Sequence, residues 1–284
     1  MGGSMAANIA RAGYKVLGWN RTVGRPGAAR AAEAGVQLVH EARDVAANAD
    51  ILFLCLSDVA DLQEMLFGDN GIAGSLREGT IVIDTSTTGP ECARDVYAKL
   101  KKQGVHFLDA PVSGGDVGAR NGTLTVMVGG DPDAFERARP VFDAIGKNIR
   151  LCGAAGAGQA VKLCNQILCA VNMVAVCEAF KLADEMQIDP NLIVEVCGTG
   201  AAGSWALSNL GPRILKNELG PGFMIEHMLK DLRLVGENYS EAGEELPGTA
   251  LAERKFEEVR DGEDDGGRLG THAMMLTYRE KTHA

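Results

Sequence analysis

Short apolar runs alternate with helix-like segments along the first ~150 residues of the chain. This alternation of strand and helix patterns is typical of a parallel α/β sheet. The predicted strands cover residues 14–19 (YKVLGW), 51–56, 80–83 and 105–108, and the predicted helices cover 27–34, 60–67 and 91–101. The dipeptide Asn121-Gly122 stands before the run LTVMV and predicts a hairpin-like edge there.

The β pattern fades after about residue 156, and long helical patterns replace it. They cover residues 158–186, 191–196, 225–242 and 249–259. We therefore predict an α/β domain over residues 1–153 and an all-helical domain over residues 154–284.

The first residues, MGGSMAAN, look like the second half of a dinucleotide-binding turn. The G-x-G-x-x-G fingerprint needs a strand and two glycines before the position that Gly2 would occupy. An initiator methionine with a small-residue helix is the alternative interpretation. We expect the sequence to begin roughly ten residues or more inside the protein, about the length of a strand and a turn. A doubly wound sheet without its first, central strand has a gap between the neighbours of that strand.

Charge and composition narrow the classes of partner. The apolar share of 46% is that of a globular protein, and the net charge of −10 argues against a nucleic-acid surface. No apolar run reaches the ~18 residues of a membrane span, because polar residues interrupt the best candidate, 161–180. Seven cysteines in apolar contexts, without a C-x-x-C pair, suggest buried thiols in a reducing compartment. We expect a cytoplasmic protein without a metal site.

Polar residues after the first predicted strand favour NADP over NAD. Asn20, Arg21 and Thr22 occupy the place where a NAD-selective site has a carboxylate for the ribose. A guanidinium pairs with a 2′-phosphate, which a carboxylate would repel. The alternative is an exposed loop arginine without a specific role.

Two further predicted strands end in candidate cofactor contacts. Leu56 and Ser57 follow one strand, and Ser86 and Thr87 follow the next. Ligands of open α/β sheets lie at the carboxyl ends of the strands, so we expect ribose and nicotinamide contacts here. Ser86 and Thr87 are equally suited to cap a helix that begins near Pro90.

Substrate chemistry is indicated by a glycine-rich segment and by a polar stripe on a helix. Ser113, Gly114 and Gly115 allow close backbone approach to a carboxylate, although the same residues suit a simple turn. Further along the chain, Lys162, Asn165 and Gln166 are spaced i, i+3 and i+4 and share one helix face. Gly158, one turn earlier, leaves room for a ligand in this interpretation. The alternative is a snorkelling lysine on a solvated stripe.

Four motifs in order, DAPVSGG, GTLTVMVGG, GAGQAVKLCNQ and HMLKDLRL, resemble the 3-hydroxyisobutyrate dehydrogenase family of β-hydroxyacid dehydrogenases. The similarity runs from Gly2 to near the C-terminus, with the first strand and leading glycines as the main departure. The resemblance implies a Rossmann-type doubly wound sheet followed by an all-helical substrate and dimerisation domain, with the active site between them. It also implies oxidation of a short 3-hydroxy acid, or reduction of its semialdehyde, with NADP or NAD.

Carried over by motif, the resemblance assigns Lys162 as the catalytic group. It assigns the substrate carboxylate to Ser113, Gly114 and Gly115, and substrate orientation to Asn165, Gln166 and Asp231. Many relatives have Asn at the position of Gln166. Lys230 would lie near the nicotinamide, with a surface ion pair between Lys230 and Asp231 as the alternative.

Several related activities remain open at this stage. Tartronate semialdehyde (2-hydroxy-3-oxopropionate) reductases and glyoxylate/succinic semialdehyde reductases use the same residues. A 6-phosphogluconate dehydrogenase would have a histidine on the lysine helix, which KLCNQ lacks, and imine reductases usually replace Lys162. A non-enzymatic dinucleotide-fold scaffold is the alternative of a different class. The apolar face of 161–180 suits a homo-oligomer.

Overall fold

The computed structural model describes residues 1–239 and 246–279. The backbone packs into two compact units that divide between Lys162 and Leu163. Within the described residues, every strand belongs to the first unit, and the second unit is helical. The predicted fold class, a Rossmann-type sheet followed by an all-helical part, is confirmed.

The first unit is built on a six-stranded mixed sheet. Strands β3, β4 and β5 are parallel, β7 runs antiparallel to β5 and β6, and β8 is parallel to β7. Strands β1 and β2 form a separate parallel pair, and no strand of the described chain pairs with both β1 and β3. The strands are β1 (Leu17–Gly18), β2 (Gln37–Leu38), β3 (Ile51–Leu54), β4 (Ile81–Asp84), β5 (His106–Asp109), β6 (Val112–Ser113), β7 (Leu124–Gly130) and β8 (Gly146–Gly153).

Helices cover the sheet and make up the second unit. Proline at the first turn of α2, α5 and α7 suits helix starts, where its missing N–H costs nothing. The helices are α1 (Gly2–Arg11), α2 (Pro26–Glu33), α3 (Ala42–Asn48), α4 (Val59–Phe67), α5 (Pro90–Lys101), α6 (Gly115–Asn121), α7 (Pro132–Phe142), α8 (Ala157–Glu185), α9 (Pro190–Leu192), α10 (Gly211–Leu215), α11 (Ile225–Tyr239) and α12 (Pro247–Gly262). Helix α8 runs through the division between the units.

Successive side chains along the strands point to opposite faces of the sheet and belong to two separate hydrophobic clusters. Ile81 and Ile83 point to the face that α7 covers, where Phe142 is buried. Val82 points to the other face, with Leu52 and Leu62. A strand that is apolar on both faces is expected in a sheet covered by helices on both sides.

The main elements predicted from the sequence are found, with shifted ends. The predicted strands at 51–56, 80–83 and 105–108 correspond to β3, β4 and β5, whereas the strand at 14–19 is reduced to the two residues of β1. The long helix predicted over 158–186 is α8. The helix predicted over 225–242 is α11 as far as Tyr239, and the last three predicted residues lie outside the described residues.

The hairpin-like edge predicted at Asn121-Gly122 is wrong. Asn121 ends α6, and Gly122 closes that helix in the left-handed conformation (φ 65°), with its N–H donated to the carbonyl of Gly118. An Asn-Gly pair supplies positive φ to hairpins and to helix ends alike. Here the helix upstream decides the outcome, although β6 and β7, on either side of α6, do pair antiparallel.

The second unit has its own core, in which sulfur-containing side chains are prominent. Met173, Met228 and Met274 are buried there with Phe180 and Phe256. Single turns of π-helix, Ile193–Cys197 and Ala206–Leu210, interrupt the regular helices of this unit. By length and composition alone α8 passes as a membrane span, but core helices of soluble proteins pass the same test.

The expectation of buried thiols is wrong for most of the cysteines. None of the seven forms a disulfide, and of the seven only Cys177 is buried. Cys164 and Cys169 lie on an exposed side of α8 together with Leu168. Apolar neighbours in the sequence therefore do not mark a buried position on this helix.

Two carboxylates are completely buried where β4 and β5 end. Oδ1 of Asp84 accepts the N–H of Ser86 at 3.0 Å, and Oδ2 accepts the hydroxyl of Thr88 at 3.3 Å. Asp109 accepts backbone N–H groups from the start of α8. Burial raises the pKa of each carboxyl to about 6, although the hydrogen bonds received act in the opposite direction.

We expect these carboxyls to make the protein less stable as the pH rises from about 4 to about 6. A native pKa above the unfolded value means that the native state binds the proton more tightly in this interval. The stabilisation is therefore complete below pH 4 and is lost as each carboxyl ionises. Asp84→Asn removes one such group, so its free energy of unfolding should not fall with the ionisation of that group. Measured by urea unfolding, the difference in free energy of unfolding, variant minus parent, should rise by on the order of 2 kcal/mol between pH 4.5 and pH 7.

Asp143→Asn, at an exposed position after α7, is the control for removing a carboxylate in general. A stability difference between parent and Asp84→Asn that stays constant over this pH range would contradict the assignment.

Candidate active site

Lys162 is buried within the second turn of α8. Its residue is 5% exposed, which excludes a lysine that reaches bulk solvent along an apolar face. Asn165 and Gln166 follow on the same helix, and Gln166 is also buried. The spacing predicted one face for the three side chains, and the continuous helix gives them that spacing.

In the second unit, Gln166 joins α8 to α11 through a buried carboxylate. Its Nε2 donates to Oδ2 of Asp231 at 2.5 Å, and its Oε1 accepts from Nδ2 of Asn165 at 2.8 Å. Lys230 Nζ lies 2.7 Å from Oδ1 of Asp231. Within the described residues, Oδ1 of Asp231 accepts no hydrogen bond of regular geometry. The ammonium of Lys230 therefore stabilises this oxygen by its charge.

The pair Lys230–Asp231 is not a surface ion pair. The side chain of Asp231 is 2% exposed and that of Lys230 15%. A buried ion pair costs desolvation, which exposed pairs avoid. The structure thus brings together four of the predicted residues, Asn165, Gln166, Lys230 and Asp231, within the second unit.

In the first unit, Ser113, Gly114 and Gly115 form the bend from β6 into α6. Gly114 (φ 127°) and Gly115 (φ 62°) both have positive φ, which side chains with a Cβ rarely adopt. Gly114 is exposed, and Ser113 and Gly115 are half-buried. The bend therefore presents backbone that a ligand can approach closely.

The loops after β3 and β4 are tied together. Ser86 is buried, and its hydroxyl accepts the N–H of Leu56 at 2.8 Å, whereas Ser57 is exposed. Thr87 is half-buried. The suggestion that Ser86 or Thr87 caps the next helix is wrong, because Gly89, which has no side chain, occupies the cap position of α5.

The remaining predicted cofactor residues lie at the start of α1 and after β1. Gly2 begins α1, and a methyl group in its place would lie 3.2 Å from Cβ of Cys55. Arg21 is exposed and pairs with Asp61 at 2.9 Å, with its side chain 75% exposed. Asn20 donates from Nδ2 to the carbonyl of Thr22 at 2.6 Å.

Sequence reasoning missed the buried network at the start of α8. Gln159, fully buried, donates from Nε2 to the carbonyl of Ser86 and accepts the N–H groups of Thr88 and Gly89. Asp109 holds the backbone of Gln159. The available signals were an aspartate directly after an apolar strand and a glutamine three residues before Lys162, on the same helix face.

Gly158 does not leave room for a ligand, contrary to the prediction. A Cβ at this position would lie 2.3 Å from the carbonyl oxygen of Met127 and 2.7 Å from that of Asp109. The glycine is required because the backbone of α8 packs directly against the sheet. The space that the sequence suggested for substrate is occupied by main chain.

The two units differ in the chemistry that they can supply. The first has a buried lysine, a bend with accessible backbone and an exposed guanidinium, and the bend and the guanidinium suit anionic groups. The second has a buried carboxylate that accepts a hydrogen bond from one amide and pairs with an ammonium. No group of three potential metal ligands occurs in the part of the chain that the structure describes.

Family models cover both halves of the chain. The model described as the NAD binding domain of 6-phosphogluconate dehydrogenase matches residues 1–153. The model described as NAD-binding of NADP-dependent 3-hydroxyisobutyrate dehydrogenase matches residues 156–278. Together these matches support a nicotinamide cofactor and an enzymatic role rather than a scaffold.

Similar proteins cover nearly the whole chain. An uncharacterized oxidoreductase of Synechocystis sp. is 49% identical, over 99% of this chain and 95% of its own length, and the 2-hydroxy-3-oxopropionate reductase of Escherichia coli is 39% identical, over 99% and 94%. The solved structure of Mycobacterium tuberculosis 3-hydroxyisobutyrate dehydrogenase with L-serine has a TM-score of 0.87 at 33% identity, over 99% of this chain and 96% of that one. The chain belongs to the 3-hydroxyisobutyrate dehydrogenase family of NAD(P)-dependent β-hydroxyacid dehydrogenases.

Proposed function

We propose that this protein oxidises a short 3-hydroxy acid, 3-hydroxyisobutyrate first among them, or reduces the matching semialdehyde, with NADP as the preferred cofactor. The observation that carries the proposal is the buried side chain of Lys162 on the same helix as the amides of Asn165 and Gln166. Burying a lysine is costly, and packing alone gives no reason for it.

Lys162 is the proposed acid and base. When the alcohol is oxidised, its hydroxyl proton must leave as the carbon gives up hydride, and the lysine amine takes that proton. In the reverse direction the ammonium stabilises the developing charge on oxygen and returns the proton. A buried position strengthens this electrostatic interaction, because little water competes with it.

The substrate carboxylate is assigned to the bend Ser113-Gly114-Gly115. Positive φ at both glycines leaves the backbone uncovered by side chains, so its N–H groups suit an anion. Asn165 and Gln166 orient the substrate by neutral hydrogen bonds.

Gln166 and Asp231 are proposed to act as a pair. The side chain of Gln166 spans the distance to Oδ2 of Asp231, whereas many relatives have the shorter Asn at position 166. The carboxylate fixes which way the amide points, so the pair orients donors and acceptors toward the substrate.

The residues proposed for the cofactor fit NADP by their chemistry. Gly2 begins α1 and has no side chain that would block a cofactor phosphate. The exposed guanidinium of Arg21, with Asn20 and Thr22 beside it in the sequence, suits a 2′-phosphate. When bound, the nicotinamide supplies the carbon that accepts or gives the hydride. The contribution of this chain is to hold the phosphate and ribose.

Further cofactor contacts are proposed at the strand ends and on α11. Ser57 and Thr87 are the accessible hydroxyl-bearing residues, and the backbone beside Leu56 and Ser86 shapes the loops that carry them. Lys230 is assigned to the nicotinamide end.

The domain roles, location and assembly of the protein follow from the same proposal. We assign dinucleotide binding to residues 1–153 and substrate binding and dimerisation to residues 154–284, in the cytoplasm. Helix α8 has the exposed apolar side chains Val161, Leu168 and Leu182, and Met186 directly after the helix is exposed as well. Such a face supports a homo-oligomer.

A second candidate is the reduction of 2-hydroxy-3-oxopropionate (tartronate semialdehyde), which the 39% identity to the E. coli reductase favours. The two substrates share the carboxylate and the reacting carbon, and they differ in carrying methyl or hydroxyl at C2. Glyoxylate and succinic semialdehyde remain within the same reaction class.

Replacing Lys162 tests the catalytic assignment. Lys162→Ala should lower kcat by ~10²-fold or more, because the acid and base is lost. Lys181→Ala on the same helix removes the ion pair with Glu185 at 2.6 Å, at a residue outside the proposed site, and should keep kcat near that of the parent. Steady-state formation of reduced cofactor measures both, and near-parental turnover of Lys162→Ala would refute the proposal.

A substrate panel decides the C2 substituent. We expect kcat/KM to be highest for 3-hydroxyisobutyrate when it is compared with glycerate, glycolate and 4-hydroxybutyrate. The reason is that a hydroxyl at C2 loses its hydrogen bonds to water on binding, whereas a methyl group gains free energy from burial. Highest kcat/KM with glycerate would replace the first candidate by the second.

Arg21 sets the expected preference between the cofactors. Arg21→Leu should raise the KM for NADP about 10-fold or more and leave that for NAD unchanged, because only NADP carries the phosphate. Arg30→Leu, on the exposed side of α2, is the matched control for charge. An equal effect of Arg21→Leu on both cofactors would remove the assignment to the 2′-phosphate.

A further inference from the structure

The start of α8 is fixed by a carboxylate that belongs to the sheet. Oδ1 of Asp109 accepts the N–H of Gly156 at 2.7 Å, and Oδ2 accepts that of Gln159 at 2.9 Å. The first N–H groups of a helix have no partners within it, so this carboxylate satisfies them from outside. Its negative charge also suits the positive end of the helix dipole.

Direct packing of main chain removes freedom at the same place. A Cβ at Gly129 would lie 2.6 Å from Oδ1 of Asp109 and 2.8 Å from the backbone nitrogen of Gly158. Because the helix start touches the backbone of β7 as well as Asp109, it has no free volume in which to shift.

Gln159 extends this contact from the helix to the loop after β4. Its Nε2 donates to the carbonyl of Ser86 at 2.8 Å, and its Oε1 accepts from Thr88 at 3.0 Å and from Gly89 at 3.2 Å. Both ends of the amide are therefore used by one loop of four residues. A solvent-exposed glutamine would not be held in this way, but Gln159 is fully buried.

That loop carries residues assigned above to the cofactor. Thr87 lies between the backbone groups that Gln159 holds, and Ser86 accepts the N–H of Leu56 at the neighbouring strand end. Asp84 holds the loop from the strand side through Ser86 and Thr88. A change in the conformation of this loop therefore reaches Gln159 directly.

We propose that Gln159 is a positioning residue that couples the loop Ser86–Gly89 to Lys162. Lys162 follows Gln159 by three residues, about 4.5 Å along the helix axis, so both move with the same helical turn. The inference rests on the proposed function, in which Lys162 exchanges the proton and the loop contacts the cofactor. Through Gln159, cofactor binding at the loop sets the position of the amine.

A double-mutant cycle tests the coupling. Gln159→Met should lower kcat about 10- to 100-fold, since small misplacement of a reacting group is enough for such a loss, and should raise the Kd of NADPH about 10-fold. In the Lys162→Ala background the same substitution should change kcat by less than about 2-fold, because the group that it positions is gone. Steady-state kinetics and NADPH fluorescence supply the two readouts.

A purely structural role would give a different result. The effects of Gln159→Met and Lys162→Ala on kcat would then multiply, and this outcome overturns the proposal. An unchanged Kd for NADPH overturns it as well, because the loop would not be involved. Near-parental kcat of Lys162→Ala is a separate failure, which removes the proposed function itself.

Two further variants keep the test decisive. Gln159→Glu preserves the shape and the acceptor for Thr88 and Gly89 but loses the N–H donated to Ser86, and it takes the place of Gln159→Met if that variant does not fold. The same cycle should again be non-additive. Gln63→Met removes an amide that donates to Cys92 and Asp95 between α4 and α5, and its kcat should stay within about 2-fold of the parent.

Discussion

The carboxylate of Asp109 lies beneath the first turn of α8 and accepts N–H groups that the helix cannot satisfy by itself. Two opposing effects meet at this residue. Burial disfavours its charge, and the backbone N–H groups with the helix dipole favour it. Because Asp109 is the last residue of β5, the sheet determines where α8 begins. The position of Lys162, less than two turns further along, depends on that contact.

The hydrophobic pattern predicted those elements whose apolar residues follow one clear period. Strands β3, β4 and β5 are apolar runs bounded by polar residues, and α8 is a long run without a proline. Strand β8 was missed because its buried positions, Gly146 and Ile149, are three residues apart rather than two. Helix α6 was missed because its sequence is rich in glycine and its last residue, Asn121, belongs to a hairpin dipeptide. In both cases tertiary contacts overrule local preference.

The residues of the candidate site likewise fall into those that the sequence pattern indicated and those that it did not. Lys162, Asn165 and Gln166 could be recognised because three polar residues at helical spacing interrupt an apolar helix. The roles of Asp109 and Gln159 could not, since their partners lie 47 to 73 residues away in the chain. Sequence also indicated space at Gly158, where the structure has tightly packed main chain. A glycine in a sequence indicates that another group packs closely against the backbone there. Whether that group is a ligand or another part of the main chain is determined by the fold.

The prominence of thioethers in the core of the second unit has a chemical consequence. Met173, Met228 and Met274 are flexible and polarisable, so their packing adapts when a neighbouring side chain is exchanged. The same sulfur atoms are converted to polar sulfoxides by peroxide. Burial shields them while the unit stays closed, so oxidation has to wait for transient opening. The rate at which methionine sulfoxide forms would therefore report how often the second unit opens transiently.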